Sequence, residues 1–225
     1  MFISEIFYSI QGEGLLSGVP SVFVRTSGCN LRCSWCDTKY ASWHPEGEQM
    51  SVEEIVTKVA QFPSRYVVLT GGEPMVAKDI HELAKALKFL QKHITIETAG
   101  TIPPEYIVCD LASVSPKLSN STPDNSSWRD RHEQTRLNIE VLRDWMNCYH
   151  YQFKFVVSKT SDWLEIRDIV TKVDLDPERV LLMPEGISPE EIKTKSSLVN
   201  DLCKQYGHRY CDRLQIHLFG NTKGT

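Results

Sequence analysis

Three cysteines lie within eight residues of the chain, in the spacing C-x3-C-x2-C. They are Cys29, Cys33 and Cys36. Cysteine thiolates hold iron–sulfur clusters, and in ferredoxins four of them cap every iron, so that the cluster only passes electrons. Three thiolates bind three irons of a [4Fe–4S] cube and leave the fourth iron open. The spacing therefore predicts a cluster whose open iron can bind a small molecule.

A structural zinc site and a disulfide framework are the alternatives to a cluster. Zinc needs four ligands, usually from two C-x2–4-C pairs, whereas the chain offers one triplet and His44. The seven cysteines are an odd number, and the first residues lack the features of a secretion signal. We therefore expect free thiols in a reducing cytoplasm. The other four cysteines are expected to be buried small apolar residues: Cys109, Cys148, Cys203 and Cys211.

Length and composition describe an ordinary globular protein. The 225 residues are enough for one sizeable domain, which we place at 1–225. A hydrophobic fraction of 41% and a charged fraction of 24% are typical of such domains. The net charge of −4 gives no electrostatic footprint for nucleic acid or an anionic membrane. No apolar run approaches the roughly 18 residues that span a bilayer, so we expect neither a nucleic-acid nor a membrane partner.

Strand-like and helix-like segments alternate along the chain, which predicts an α/β fold with a mostly parallel sheet. Little helical periodicity follows Thr98 or Asp110, and this favours an incomplete barrel over an eightfold one. Ser51 and Ser188 each begin a helix with a capping box. Residues 120–128 are expected to form a loop. The expected strands are residues 3–10, 21–26, 66–70, 94–98, 106–110, 152–157, 180–183 and 209–218, the last of which carries His217.

Polar loops follow several of these strands, and in barrels of parallel strands the functional site gathers at the carboxyl ends. Gly71 and Gly72 follow a buried strand and leave their backbone groups open to a ligand. Glu73 can accept a hydrogen bond from an amine. The loops expected to meet at this edge are residues 11–14, 29–38, 70–74, 97–100 and 115–117.

These segments, taken in chain order, resemble those of known proteins. The cysteine triplet followed by Gly-Gly-Glu-Pro is similar to the radical S-adenosylmethionine superfamily. The whole chain resembles one of its families, the 7-carboxy-7-deazaguanine synthases. This narrower resemblance depends on the following segments: Gln-Gly-Glu-Gly at 11–14, Arg25, Cys-Asp-Thr at 36–38, residues 70–74, 97–101 and 115–117, and the tail 219–225.

The resemblance implies a partial TIM-like barrel and a carbon–nitrogen lyase. The expected reaction converts 6-carboxy-5,6,7,8-tetrahydropterin to 7-carboxy-7-deazaguanine with loss of ammonia, a step toward queuosine and related deazapurines. A 5′-deoxyadenosyl radical would abstract the hydrogen at C6, and S-adenosylmethionine would be regenerated. Another radical S-adenosylmethionine enzyme, such as an activase that installs a glycyl radical, is the alternative.

The resemblance also assigns roles to individual residues, with a [4Fe–4S] cluster, S-adenosylmethionine and Mg²⁺ as cofactors. It places the cluster on the three cysteines of the triplet and Mg²⁺ on the hydroxyl of Thr38, a hard oxygen ligand of the kind this ion prefers. It further implies a homodimer and a reductant such as flavodoxin. The residues expected to bind S-adenosylmethionine are Trp35, Cys36, Asp37, Gly72, Ser115, Pro116 and Lys117. Those expected to bind the substrate are Ile10, Gln11, Gly12, Arg25, Thr70 and Thr225.

Overall fold

A computed structural model describes residues 1–124 and 127–225, and the strands in these ranges form one nine-stranded sheet. The strand order is β3-β1-β2-β4-β5-β6-β7-β8-β9. β1 is antiparallel to β2 and β3, and every other neighbouring pair is parallel, which confirms the predicted class of fold. The strands are β1 (Phe2–Ile10), β2 (Pro20–Thr26), β3 (Glu48–Gln49), β4 (Tyr66–Gly71), β5 (His93–Thr98), β6 (Leu111–Val114), β7 (Tyr151–Val157), β8 (Val180–Pro184) and β9 (Arg209–Tyr210).

Helices connect most of the parallel strands. Those of the described ranges are α1 (Lys39–Ser42), α2 (Val52–Ala60), α3 (Ile80–Phe89), α4 (Arg129–Thr135), α5 (Ile139–Cys148), α6 (Asp162–Val173), α7 (Pro189–Tyr206) and α8 (Leu214–Phe219). The loop predicted for 120–128 includes residues 125 and 126, which lie outside the described residues, and its first part is a short 3₁₀ helix, Ser119–Ser121.

Two serines start helices as predicted, although only one forms the complete box. Ser51 Oγ accepts from the Glu54 amide at 3.2 Å, and the Glu54 carboxylate accepts from the Ser51 amide at 2.7 Å. Ser188 Oγ likewise accepts from the Glu191 amide. The Glu191 carboxylate, however, accepts from the Ile187 amide one residue earlier, so the second capping box is half-formed.

The main hydrophobic core lies between the sheet and the helices. Phe153 and Phe155 on β7 and Trp145 on α5 are fully buried in it. The indole Nε1 of Trp145 donates to the Ile102 carbonyl at 2.9 Å, so its one polar atom is satisfied. This core fixes the strands whose carboxyl ends carry the loops described below.

The prediction of a strand at 106–110 is wrong. Glu105 and Tyr106 have φ of 47° and 60°, in the left-handed region that a strand cannot contain. Tyr106 is 89% exposed. The strand begins at Leu111, which pairs with Thr95 of β5. Just before it, the Asp110 side chain accepts a hydrogen bond from the Ile94 amide at 2.8 Å.

The prediction of a strand at 209–218 is wrong beyond its first two residues. Leu214, Ile216 and Leu218 alternate with polar residues, and a run this short fits a helix as well as a strand. In α8 only Ile216 of these three is buried, and Leu218 is exposed. His217 is therefore on a helix and not on a strand.

The four cysteines outside the triplet differ in burial. Cys203 and Cys211 are buried as predicted, and Cys109 is partly buried. The prediction is wrong for Cys148, which is exposed at the last position of α5.

Replacement of Phe155 by Ala is expected to lower the free energy of unfolding by about 3–5 kcal/mol, because it leaves a cavity in the main core. Phe89→Ala is the matched control, since that ring is 88% exposed and its loss is expected to cost within about 0.5 kcal/mol. Urea unfolding followed by circular dichroism measures both values. Equal effects of the two substitutions would contradict this assignment of the core.

Candidate active site

One cavity of about 240 Å³ lies at the carboxyl edge of the parallel strands. The predicted site residues line it, with the exception of Pro116. The parallel topology brings them together, because Arg25, Thr70, Glu97 and Ser115 lie at the ends of four neighbouring strands. The binding role of each residue remains a prediction.

The three thiols of the cysteine loop face this cavity. Cys33 packs with Leu31 and Ala99, and the indole Nε1 of Trp43 donates to the Cys33 carbonyl at 3.0 Å. Burial raises the pKa of both the Cys29 and Cys33 thiols to about 12. These sulfurs are therefore neutral unless a positively charged metal centre stabilises the thiolates.

The donor set fits an iron–sulfur cluster better than a single ion. In the described part of the chain, no three His, Cys, Asp or Glu side chains are close enough to hold one metal ion. In a cluster each thiolate binds a different iron, so the sulfurs need not converge on one point. Three soft donors on the wall of an open cavity leave space for the fourth corner.

Gly72 allows the cysteine loop to approach the end of β4 closely. A Cβ atom at this position would overlap the Gly28 carbonyl oxygen and lie 2.7 Å from both the Ala41 carbonyl oxygen and the Cys29 Cβ. No side chain fits in that space. The absence of a Cβ at Gly72 therefore sets the position of Cys29.

Glu73 does not have the ligand-facing role expected for it. Its carboxylate is fully buried and accepts from Thr98 Oγ1 and the Ala99 amide, both at 2.8 Å, and from the Met75 amide at 3.1 Å. Burial raises the pKa of Glu73 against the effect of these hydrogen bonds. The side chain ties the loop after β4 to the end of β5 and does not line the cavity.

The two Nη groups of Arg25 are available for binding on the cavity side. Its Nε donates to Glu5 Oε1 at 2.6 Å, and the Tyr40 hydroxyl donates to the same oxygen at 2.7 Å. Neither Nη atom of Arg25 has a hydrogen-bond partner in the described ranges. A guanidinium held through Nε can present both Nη groups to a carboxylate.

The chain's last residues also reach the cavity. Thr225 lines it. Lys223 Nζ lies 4.7 Å from the centre of the Tyr40 ring and 3.5 Å from Glu46 Oε2. Tyr40 therefore contacts the tail directly and is connected to Arg25 through the shared Glu5 oxygen.

The residues predicted to bind S-adenosylmethionine are held by side chains from distant segments. Trp35 Nε1 donates to Asn120 Oδ1 at 3.3 Å, and the Lys117 ammonium lies 5.6 Å from the Trp35 ring centre. Lys117 also donates to Ser115 Oγ at 2.9 Å. Asp37 forms an ion pair with Arg213. Thr38 Oγ1 is 3.8 Å from Cys36 Sγ, so its hydroxyl lies beside the cysteine loop.

A buried ionic network on the opposite wall of the cavity was not predicted. Lys154 lies between Glu13 and Glu97, and Arg213 and Gln215 contact Glu13 from the other side. All five side chains line the cavity. One sequence signal could have found Lys154, because a lysine interrupts the apolar run of β7. No comparable local signal marks Arg213.

Comparison with known proteins identifies the family. Residues 23–113 match the model of the Radical SAM superfamily. A 7-carboxy-7-deazaguanine synthase of Rhodopirellula baltica is 44% identical over 229 residues, which cover 100% of this chain and 89% of the relative. The chain belongs to the 7-carboxy-7-deazaguanine synthase family. The 7-carboxy-7-deazaguanine synthase of Halobacterium salinarum is 41% identical, covering 99% of this chain and 92% of its own.

Two solved structures are similar to this chain in fold. The crystal structure of QueE from Escherichia coli has a TM-score of 0.72 at 24% identity and covers 95% of this chain and 93% of its own. Streptococcus suis SuiB bound to S-adenosylmethionine has a TM-score of 0.56 at 14% identity, covering 82% of this chain and 48% of its own. The predicted partial barrel of the radical S-adenosylmethionine type is confirmed. Membership of this superfamily implies a [4Fe–4S] cluster and S-adenosylmethionine.

No helix in the ranges 1–124 and 127–225 is long and apolar enough to cross a membrane.

Gly72→Ala is expected to lose most of its iron, because the new Cβ displaces Cys29 and the cysteine loop. Iron and sulfide analysis after anaerobic reconstitution measures this loss. Gly12→Ala is the matched control, since its Cβ would meet the backbone nitrogen of Gln215 at 2.7 Å, away from the thiols. A Gly72→Ala protein with the full iron content would show that the close approach does not position the loop.

Proposed function

We propose that this chain converts 6-carboxy-5,6,7,8-tetrahydropterin to 7-carboxy-7-deazaguanine with release of ammonia, in the biosynthesis of queuosine and related deazapurines. The observation that carries the proposal is 44% identity with a 7-carboxy-7-deazaguanine synthase across the whole chain. The cavity supports the proposal, since three thiols and an arginine with two available Nη groups line the same space. The enzyme is a carbon–nitrogen lyase.

The cysteine side of the cavity would hold the cofactors. Cys29, Cys33 and Cys36 would bind the cluster through their thiolates. When bound, the cluster and S-adenosylmethionine supply the radical that abstracts a hydrogen atom from the substrate. The cofactor-facing residues would orient S-adenosylmethionine and exclude water from it: Trp35, Cys36, Asp37, Gly72, Ser115, Pro116 and Lys117. The apolar packing of Leu31 and Ala99 around Cys33 supports such a dry environment.

The opposite side of the cavity would bind the substrate. Arg25 would pair its two free Nη groups with the substrate carboxylate, and Glu5 would fix the guanidinium plane. Ile10, Gln11 and Gly12 would contact the pterin edge, where the Gln11 amide is oriented by its 3.3 Å hydrogen bond to Glu97. Thr70 and Thr225 would complete this wall of the cavity.

Magnesium would bind at Thr38. Mg²⁺ takes few protein ligands and keeps several waters, so one hydroxyl and the substrate carboxylate suffice as its non-water ligands. Thr38 Oγ1 lines the cavity and is a hard oxygen donor. The neighbouring Asp37 carboxylate is paired with Arg213 and is less available for a metal.

The remaining parts of the hypothesis concern the whole protein. The chain would act as one domain, 1–225, in a homodimer that receives electrons from a reductant such as flavodoxin. The seven free cysteines support a reducing cytoplasm. The net charge of −4 supports a small-molecule substrate over nucleic acid.

The function is tested with reconstituted, reduced protein under anaerobic conditions. With S-adenosylmethionine, Mg²⁺ and the carboxytetrahydropterin, we expect a deazaguanine product and one ammonia per turnover. A reaction without substrate is the control, and it should yield only slow cleavage of S-adenosylmethionine. Absence of the deazaguanine product, together with formation of a glycyl radical on an added protein, would favour the activase alternative.

Cys33→Ala is expected to abolish both the cluster and turnover, because it removes one of three iron ligands. The expected loss is visible in iron content and in the charge-transfer absorbance of the cluster. Cys148→Ala is the control, since this thiol is exposed and does not line the cavity. A variant that retains full iron and normal turnover would refute the ligand assignment.

Thr38→Ala is expected to weaken the dependence of turnover on Mg²⁺ while cleavage of S-adenosylmethionine without substrate stays near the wild-type rate. The physical reason is loss of the hydroxyl that would hold the ion. Thr38→Ser retains that hydroxyl and should keep the Mg²⁺ response. Titration of turnover against Mg²⁺ decides between them, and an unchanged titration in Thr38→Ala would assign the ion to another ligand.

A further inference from the structure

Lys154 carries an ammonium group in the middle of the buried strand β7. Its side chain is 3% exposed. Side chains alternate along β7, so Phe153 and Phe155 enter the main core while Lys154 and Val156 face the cavity. Burying an ammonium is costly unless carboxylates compensate its charge. A lysine at this position therefore indicates that nearby carboxylates compensate its charge.

Two carboxylates of the cavity wall are those partners. Lys154 Nζ donates to Glu13 Oε2 at 3.0 Å and to Glu97 Oε2 at 2.8 Å. Glu13 comes from the loop after β1 and Glu97 from β5, so the ammonium joins three separate segments. Both carboxylates are mostly buried, with 15% and 17% of their side chains exposed.

The two carboxylates are supported unequally by their other neighbours. Glu13 Oε1 accepts from Arg213 Nε at 3.1 Å and from Gln215 Nε2 at 2.8 Å. Among the described residues, Glu97 accepts from Lys154 and otherwise only from the neutral donors Gln11 Nε2, at 3.3 Å, and Ser113 Oγ, at 3.0 Å. Lys154 is therefore the cation in direct contact with Glu97.

The Lys154 ammonium compensates the negative charge of two carboxylates that share one site. Burial by itself raises the pKa of Glu13, but Lys154 and then Arg213 hold it well below its usual range. The pKa of Lys154 is raised by Glu97 and Glu13 against the effect of burial, and the buried Cys211 thiol is a further titratable group near it. Without a cation between them, two carboxylates in one site repel and one takes up a proton.

We propose that Lys154 is a positioning residue that keeps Glu13 and Glu97 ionised together, as paired acceptors for the ring N–H groups of the substrate. The inference rests on the proposed function. A tetrahydropterin carries several N–H donors along its ring system, and ionised carboxylates accept such bonds about twice as strongly as neutral groups. The ammonium of Lys154 reaches one oxygen of each carboxylate at about 3 Å.

Lys154→Met tests the proposal, because it keeps the length and apolar stem of the side chain and removes the charge. We expect KM for the carboxytetrahydropterin to rise about tenfold or more. We also expect the acid limb of the kcat/KM profile to move upward by about one pH unit or more, since the pKa of at least one carboxylate rises and activity falls as that group becomes protonated.

Three further variants make the result specific. Lys193→Met removes an exposed lysine of α7 and should leave the pH profile and KM unchanged. Lys154→Arg keeps the charge and should retain most of the wild-type position of the acid limb. The double variant Lys154→Met with Glu97→Gln removes one charge of each sign. It should return the acid limb to the wild-type position, because Arg213 still supports Glu13. KM should stay high, because one of the two charged acceptors is lost.

The possible outcomes separate this inference from the proposed function. A wild-type acid limb and KM in Lys154→Met would overturn the positioning role while wild-type turnover still supports the function. If Lys154→Met does not fold, the double variant decides, and an acid limb still shifted upward there would overturn the proposal. If neither variant folds, Lys154→Arg decides, and an acid limb shifted upward in this charge-keeping variant would overturn the proposal. A wild-type protein that does not convert the pterin would instead refute the proposed function.

Discussion

The close packing of the cysteine loop against the end of β4 is the constraint on which the site depends. The Glu73 amide donates to the Gly28 carbonyl at 3.0 Å, and the Gly72 amide donates to the Thr26 carbonyl at 3.3 Å. The buried Glu73 carboxylate extends this connection to Ala99 at the end of β5. The loop is thus attached to two neighbouring strands of the sheet. Thiols placed in this way take their positions from a rigid element, which a metal centre with fixed geometry requires.

The opposite wall of the cavity is organised by charge. Asp37, Arg213, Glu13, Lys154 and Glu97 form a continuous chain of ion pairs from the cysteine loop to β5. Buried ion pairs contribute little net stability, because desolvation offsets much of their attraction. Their effect is to fix orientation. A radical enzyme needs fixed orientation, because the atom to be abstracted must be held close to the radical and away from other partners.

The sequence predicted the part of the site that is encoded locally. Cys29, Cys33 and Cys36 lie in one loop, and Thr70 and Ser115 each end a strand, so spacing and strand ends were enough to bring them together. The ionic network is different, because Lys154 and Glu13 are separated by 141 residues. Two charged residues so far apart carry no mutual signal until the strand order is known. The lysine within an apolar strand was the available clue, and its meaning depends on which strands are its neighbours.

The errors in the fold have a related physical origin. At 106–110 the left-handed backbone of Tyr106 prevents a strand. Residues 214–219 form a short segment with some apolar character, and over so few residues a period of 2.0 and one of 3.6 predict similar patterns. Tertiary contacts decide such cases. The Leu214 amide donates to the Gly12 carbonyl at 3.0 Å, so the start of α8 is attached to the loop after β1. That attachment places Arg213 and Gln215 against Glu13. The segment predicted as the last strand therefore completes the charged wall of the cavity as the start of a helix.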